Sequence, residues 1–116
     1  VRNLGQRTER LVLKKIGARR QPRSGGIPGF PNDGVKGRYL IEVKSTTKNS
    51  LGLKAKWLAD LEENSMARDK IPALIIVFNA PEDIEKLTKD NWAGREDWVA
   101  IPISDFERLT NGWKKS

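Results

Sequence analysis

The chain has 116 residues, carries a net charge of +7 with 32% charged side chains, and contains neither cysteine nor histidine. That length predicts one compact domain over residues 1–116. The missing residue types exclude disulfides, zinc–thiolate sites, Cys/His or Ser/His nucleophile pairs and imidazole acid–base catalysis. Chemistry, if there is any, must come from carboxylates, lysines, hydroxyls and an oxygen-binding metal ion.

The charge is unevenly spread. Residues 1–56 hold 14 of the 22 basic residues and three of the 15 acids, whereas residues 57–116 hold eight and twelve. A basic half joined to an acidic half suits a protein that lays one face on a polyanion, although solvated lysines on an ordinary basic protein give the same total. The three acids of the basic half are Glu9, Asp33 and Glu42. Carboxylates that face a phosphate backbone repel it unless a cation stands between, which makes these three candidate metal ligands. No apolar run approaches the ~18 residues needed to cross a bilayer, and the start does not resemble a signal peptide. A soluble, cytoplasmic protein with no membrane partner is expected.

In chain order, residues 4–17 read as a helix in which Glu9, Leu13 and Ile16 share one stripe. A carboxylate at position 9 would then point into the fold, unless it pairs with basic neighbours at the surface. Arg7, Arg10, Lys14 and Lys15 lie along the same helix. The stretch GARRQPRSGGIPGFPNDG predicts a short strand followed by a basic loop. Its Arg19, Arg20 and Arg23 are either phosphate contacts or solvated charges. Asp33 ends this loop, where P-N-D-G could equally serve only as a turn.

Lys36-Gly37 is expected to turn the chain into a strand from Arg38 to Ser45. There Leu40, Glu42 and Lys44 share one face, and Tyr39, Ile41, Val43 and Ser45 the other. Ser50 is expected to cap a helix running to about Arg68, with Leu53, Trp57 and Leu61 in register and Leu58 beside them. Trp57 reads as core more readily than as a base-stacking platform. Ala73 to Phe78 reads as a central strand covered on both faces. A short helix near Ile84 to Thr88, a strand from Trp98 to Ile103 with Pro102 favouring a sheet edge, and a last helix from Ser104 through Leu109 complete the set. The order implies an α/β fold: a central mixed β-sheet flanked by helices.

Asp33 and Glu42, held on neighbouring strand segments across a tight turn, can meet at one Mg²⁺, which favours carboxylates, water and phosphate oxygens. Lys44 would emerge beside Glu42, where an ammonium could orient a water and stabilise charge on a scissile phosphate. A lone E-x-K in so charged a chain is more often a solvated strand face. Here it follows an aspartate across a turn, in a half nearly empty of other acids.

The pattern N-D-G-V-K-G-R-Y-L-I-E-V-K resembles the metal-binding core of PD-(D/E)XK nucleases, with Asn32 at the proline position and a short spacing from Asp33 to Glu42. G-Q-R-T-E-R-L, Gly5 to Leu11, is similar to the opening helix of archaeal-type Holliday-junction resolvases and their phage-encoded relatives. R-S-G-G, Arg23 to Gly26, resembles their serine-containing loop. The resemblance spans residues 4 to 80 and implies a restriction-endonuclease-like fold, Mg²⁺-dependent hydrolysis of branched double-stranded DNA with Mn²⁺ able to substitute, and a homodimer. It implies Asp33 and Glu42 as metal ligands assisted by Glu9, Lys44 as the residue serving the nucleophilic water, and Ser24 as a further catalytic candidate. Lys54 or Lys56 would take the polar position on the following helix. Arg7, Arg10, Arg19, Arg20, Arg23, Lys48, Lys54 and Lys56 are the expected DNA contacts. Two rivals remain: a nuclease of the same fold acting on ordinary duplex or flapped DNA, and a non-catalytic domain that binds nucleic acid through its basic half alone.

Overall fold

A computed structural model describes residues 4–20, 33–80 and 97–111, with the side chains of residues 4–7 outside that description. The fold is α/β: helix α1 (Leu4–Ile16), strands β1 (Arg19–Arg20), β2 (Gly34–Lys36) and β3 (Tyr39–Ser45), helix α2 (Ala55–Ala67), strands β4 (Ile71–Val77) and β5 (Trp98–Ala100), and helix α3 (Ile103–Asn111). The strands form one mixed sheet in the order β1-β2-β3-β4-β5. Only the β3–β4 pair is parallel, and α2 supplies its crossover. No helix among the described residues is long and apolar enough to cross a membrane.

The period of two in YLIEVKS decides what each face of β3 meets. Ile41 and Val43 join Val12 and Leu13 of α1 with Ala73, Ile75 and Val77 of β4 in one core. Leu40 turns the other way, into a smaller core with Val35, Leu61 of α2 and Leu74. β4 contributes to both cores, the position its unbroken apolar sequence predicts. β3 therefore carries Glu42 and Lys44 out along the α2 side, beyond Leu40.

Two glycines set the position of β2. Gly37 opens the two-residue link between paired Lys36 and Tyr39 with φ 57°, a value that a hairpin turn needs and a side chain resists. At Gly34 a Cβ would lie 2.9 Å from Leu13 Cδ2 and 3.0 Å from the Arg19 carbonyl oxygen. The missing side chain is what lets α1 and β1 close onto β2.

Four expectations are corrected. α2 begins at Ala55 rather than after Ser50, and the N-cap position, held by Lys54 in extended conformation, makes no side-chain cap bond. Gly52 weakens a helix by about 1 kcal/mol relative to alanine, and Leu53 is exposed, so no burial offsets that cost. Leu58 is also exposed and leaves Leu61 as the buried leucine of α2. β5 stops at Ala100, ahead of Pro102, which has no N–H for a ladder. α3 starts at Ile103, where the Pro102 carbonyl accepts from the N–H groups of Asp105 and Phe106, and Ser104 lies inside its first turn. The helix expected near residues 84–88 lies outside the described residues.

Candidate functional site

Asp33 is held by an irregularity in the β2–β3 ladder. Ile41 is the register partner of Gly34, and its carbonyl oxygen also accepts the Asp33 N–H at 2.9 Å. Two residues thus oppose one, as in a β-bulge, a device that re-aims a side chain at the end of a pairing. The Asp33 carboxylate then accepts the Val43 N–H at 2.5 Å through Oδ2. It occupies the place on β3 that a strand carbonyl would otherwise fill. This is why Asp33 is buried rather than displayed on a turn.

Glu9 reaches the same point from α1. Its neighbours on the helix stripe, Leu13 and Ile16, pack in the core, and Glu9 is buried with them. Its carboxyl group hydrogen-bonds to that of Asp33. Two carboxyl groups form such a bond only when one of them holds a proton. Burial raises Asp33 most strongly, the charges of Glu42 and Glu9 and the bond to Glu9 raise it further, and the Val43 N–H acts in the opposite direction. The outcome is a pKa pushed up to about 8. At neutral pH Asp33 therefore keeps its proton beside Glu9.

Glu42 is close enough to contribute to that repulsion, and it links the pair to Lys44, whose Nζ lies 3.5 Å from Glu42 Oε2. The ammonium also sits 4.5 Å from the centroid of the Trp57 ring. Glu42, Lys44 and Trp57 line a cleft of about 250 Å³ with Asp60, Leu61 and Asn64. Trp57, Asp60, Leu61 and Asn64 follow one another at i, i+3, i+4 and i+7, the spacing of one helix face. Glu9, Asp33, Glu42 and Lys44 thus lie within electrostatic reach of one another in sequence, from α1, around the end of β2, to the α2 side of the sheet.

The donor chemistry suits a hard divalent cation. Among the described residues no three acids converge into a closed ligand set. Mg²⁺ is commonly held by one or two carboxylates completed by water and phosphate oxygens, and Asp33 and Glu42 are two carboxylates within electrostatic reach of each other. The proton retained by Asp33 follows first from burial and then from the nearby charges of Glu42 and Glu9, and a cation would relieve the second of these.

The remaining candidates are dispersed. Arg10 is exposed on α1, Arg19 and Arg20 on the edge strand β1, and Lys48 in the segment after β3. Lys54 approaches the cleft, with Nζ 5.7 Å from the Trp57 ring centroid. Lys56 is tied to Asp60 at 2.9 Å, which holds its pKa up. The α2 side of the cleft consequently presents Trp57, Asp60 and Asn64 rather than Lys56, and the helix-face spacing of those three was the signal that would have found them. Arg7 lies on the α1 backbone, and Arg23 and Ser24 fall outside the described residues. No family model, curated protein or solved structure matches this chain.

Proposed function

We propose that the protein is a Mg²⁺-dependent DNA endonuclease of restriction-endonuclease-like fold, acting on branched duplexes of the Holliday-junction type as a homodimer. The observation that carries this reading is the buried Asp33 beside Glu9, close enough to feel the charge of Glu42, with Glu42 ion-paired to Lys44. An acid cluster that must hold a proton or a cation, with an ammonium at its solvent end, suits water attack on a phosphodiester. Asp33 and Glu42 would hold the ion, and Glu9 would support Asp33 from behind. When bound, Mg²⁺ supplies charge neutralisation at phosphate oxygens and a more acidic water. Lys44 keeps a positive charge beside Glu42, where it can orient the attacking water or meet negative charge as it develops on the phosphate. Exposed Arg10, Arg19, Arg20, Lys48 and Lys54 supply charge for the backbone. A two-fold dimer would match a two-fold junction.

The test is cleavage of a labelled four-way junction in Mg²⁺ by the wild type and by Asp33→Asn, Glu42→Gln and Lys44→Ala, with linear and flapped duplexes as competitors. The expected result is loss of cleavage by roughly 100-fold or more in each variant, with binding retained and the junction preferred. Equal cleavage by all four proteins would end the reading. Metal-independent binding without cleavage would leave a nucleic-acid-binding domain.

A further inference from the structure

Helix α3 turns its apolar residues outward. Ile103, Phe106 and Leu109 are 77%, 56% and 54% exposed, while Asp105 is buried and accepts a 2.7 Å bond from Arg108 Nη1. The spacing i, i+3, i+6 puts the three apolar side chains on one side of the helix. Trp98, on the edge strand just before α3, is 61% exposed. Together these four leave on the order of 500 Å² of apolar surface in water, near the upper end of what one patch on a monomer usually carries and over half of one side of a standard interface.

An apolar groove lies next to this helix. It runs between α2 and β5 with a volume of about 370 Å³, lined by Leu58, Ala59, Leu61, Pro72, Ala100 and Pro102. Pro102 is both a wall of the groove and the residue before α3, so the projecting helix and the groove share a border. The charged residue lining the groove is Glu62. α3 carries a cation in Arg108, whose side chain is largely exposed although its Nη1 is held by Asp105. A polyanion is a poor occupant for a surface carrying Glu62 and Glu107, and a second copy of this chain, which brings an apolar helix face, is a suitable one.

We propose that two copies associate by reciprocal docking, with α3 of each copy laid in the α2–β5 groove of the other through Ile103, Phe106 and Leu109. A ridge and a groove side by side on one chain close under a two-fold axis, because each copy fills the other's groove and no half is left open. An amphipathic helix anchored at i, i+3 and i+6 is a common way to fill an apolar groove. Two such contacts bring the buried area into the range of stable dimers, about 1,200–2,000 Å². The inference specifies the dimer of the functional reading, and its test contains neither DNA nor metal, so either can fail alone.

The test is sedimentation of the full chain over a range of concentrations, for the wild type, Phe106→Glu and Leu58→Glu. Both side chains are exposed, so the monomer is expected to melt normally. Reciprocal docking predicts a wild-type dimer and a dissociation constant weakened about tenfold or more by either variant. The chain has no cysteine, so mixing Leu58→Cys copies with Phe106→Cys copies allows a unique cross-link, which is expected between copies. A monomer at every concentration overturns the proposal, and a cross-link within one doubly substituted chain would then show the chain covering its own groove. A dimer indifferent to both glutamates, or one that cross-links only Phe106→Cys to itself, also overturns it.

Discussion

Lys44 Nζ lies between two partners of different character: Glu42 Oε2 at 3.5 Å and the Trp57 ring at 4.5 Å. The carboxylate fixes where the ammonium stands and the indole limits where else it can go. A flexible lysine on a half-buried strand face is thereby held at the mouth of the cleft.

Trp57→Leu is expected to lower the maximal cleavage rate roughly 3- to 30-fold, the range of one cation–π contact, with little change in the apparent affinity for DNA. Trp57→Phe, which keeps a ring, should recover most of the loss. Single-turnover kinetics on the junction substrate would separate the two quantities. A fall in affinity with an unchanged rate would mean that Trp57 touches the substrate instead of holding Lys44.

The buried Glu9–Asp33 pair makes stability depend on pH in an unusual direction for a carboxyl group. Asp33 titrates near 8 when folded and near 3.8 in a free carboxyl group, so between these values the native state holds a proton that the unfolded chain has lost. The stabilisation is complete below pH 3.8 and is lost as pH rises through 8. For this group alone the melting curve should move down with pH by up to about 1.4 kcal/mol per pH unit across that window. Asn at position 33 keeps an oxygen for the Val43 N–H but carries no charge. Asp33→Asn should therefore flatten the dependence and melt above the wild type near pH 8, while abolishing cleavage. Thermal melts in metal-free buffer from pH 5 to 9 would show it.

With Asp33 as a ligand, added Mg²⁺ should compete with that proton. The rise in melting temperature on adding Mg²⁺ should be larger at pH 8.5 than at pH 6, because most of the protein then has no proton to displace. Calorimetry in two buffers of different ionisation heat should detect proton release near neutral pH. A metal response identical at both pH values, or one that survives in Asp33→Asn with Glu42→Gln, would place the ion elsewhere.

The parts legible in the sequence were those with a short period. Glu42 and Lys44 share a strand face because residues two apart must, and Glu9 is buried because Leu13 and Ile16 repeat its side of α1. Asp33 was readable as an acid beside a turn, but not as the side chain that takes a carbonyl's place on β3, because a bulge is a register event between two strands. The acidic α2 wall was obscured for a different reason. Lys54 and Lys56 attract notice as charges, yet the direction of Lys56 is fixed by Asp60 one turn later. The outward face of α3 was not legible, since an apolar stripe ordinarily signals burial within the same chain.

Charge at the edge of the sheet should act on affinity without touching chemistry. Arg19→Ala and Arg20→Ala remove exposed cations from β1. Each should weaken junction binding and reduce the slope of log affinity against log salt by about one, with the rate at saturation unchanged. Lys56→Ala is the contrast, because its charge is already offset by Asp60. It should leave that slope nearly intact. Binding isotherms at several salt concentrations would separate the three.

The last prediction concerns how closely α1 must approach β2. A methyl group at position 34 would press on Leu13 Cδ2 from 2.9 Å and on the Arg19 carbonyl oxygen from 3.0 Å. A leucine tip can move, but a backbone oxygen in the β1–β2 ladder moves only with its strand. Gly34→Ala should therefore cost roughly 1–3 kcal/mol of stability through overpacking. The larger effect should be at the site, since the inserted atom lies one residue from Asp33 and presses on Leu13 of the helix that carries Glu9. Separating these two carboxyl groups weakens part of what raises Asp33, so the pH dependence of the Gly34→Ala melt should be shallower than that of the wild type. A variant that is less stable yet retains the full wild-type slope would show that α1 can shift without carrying Glu9 away from Asp33.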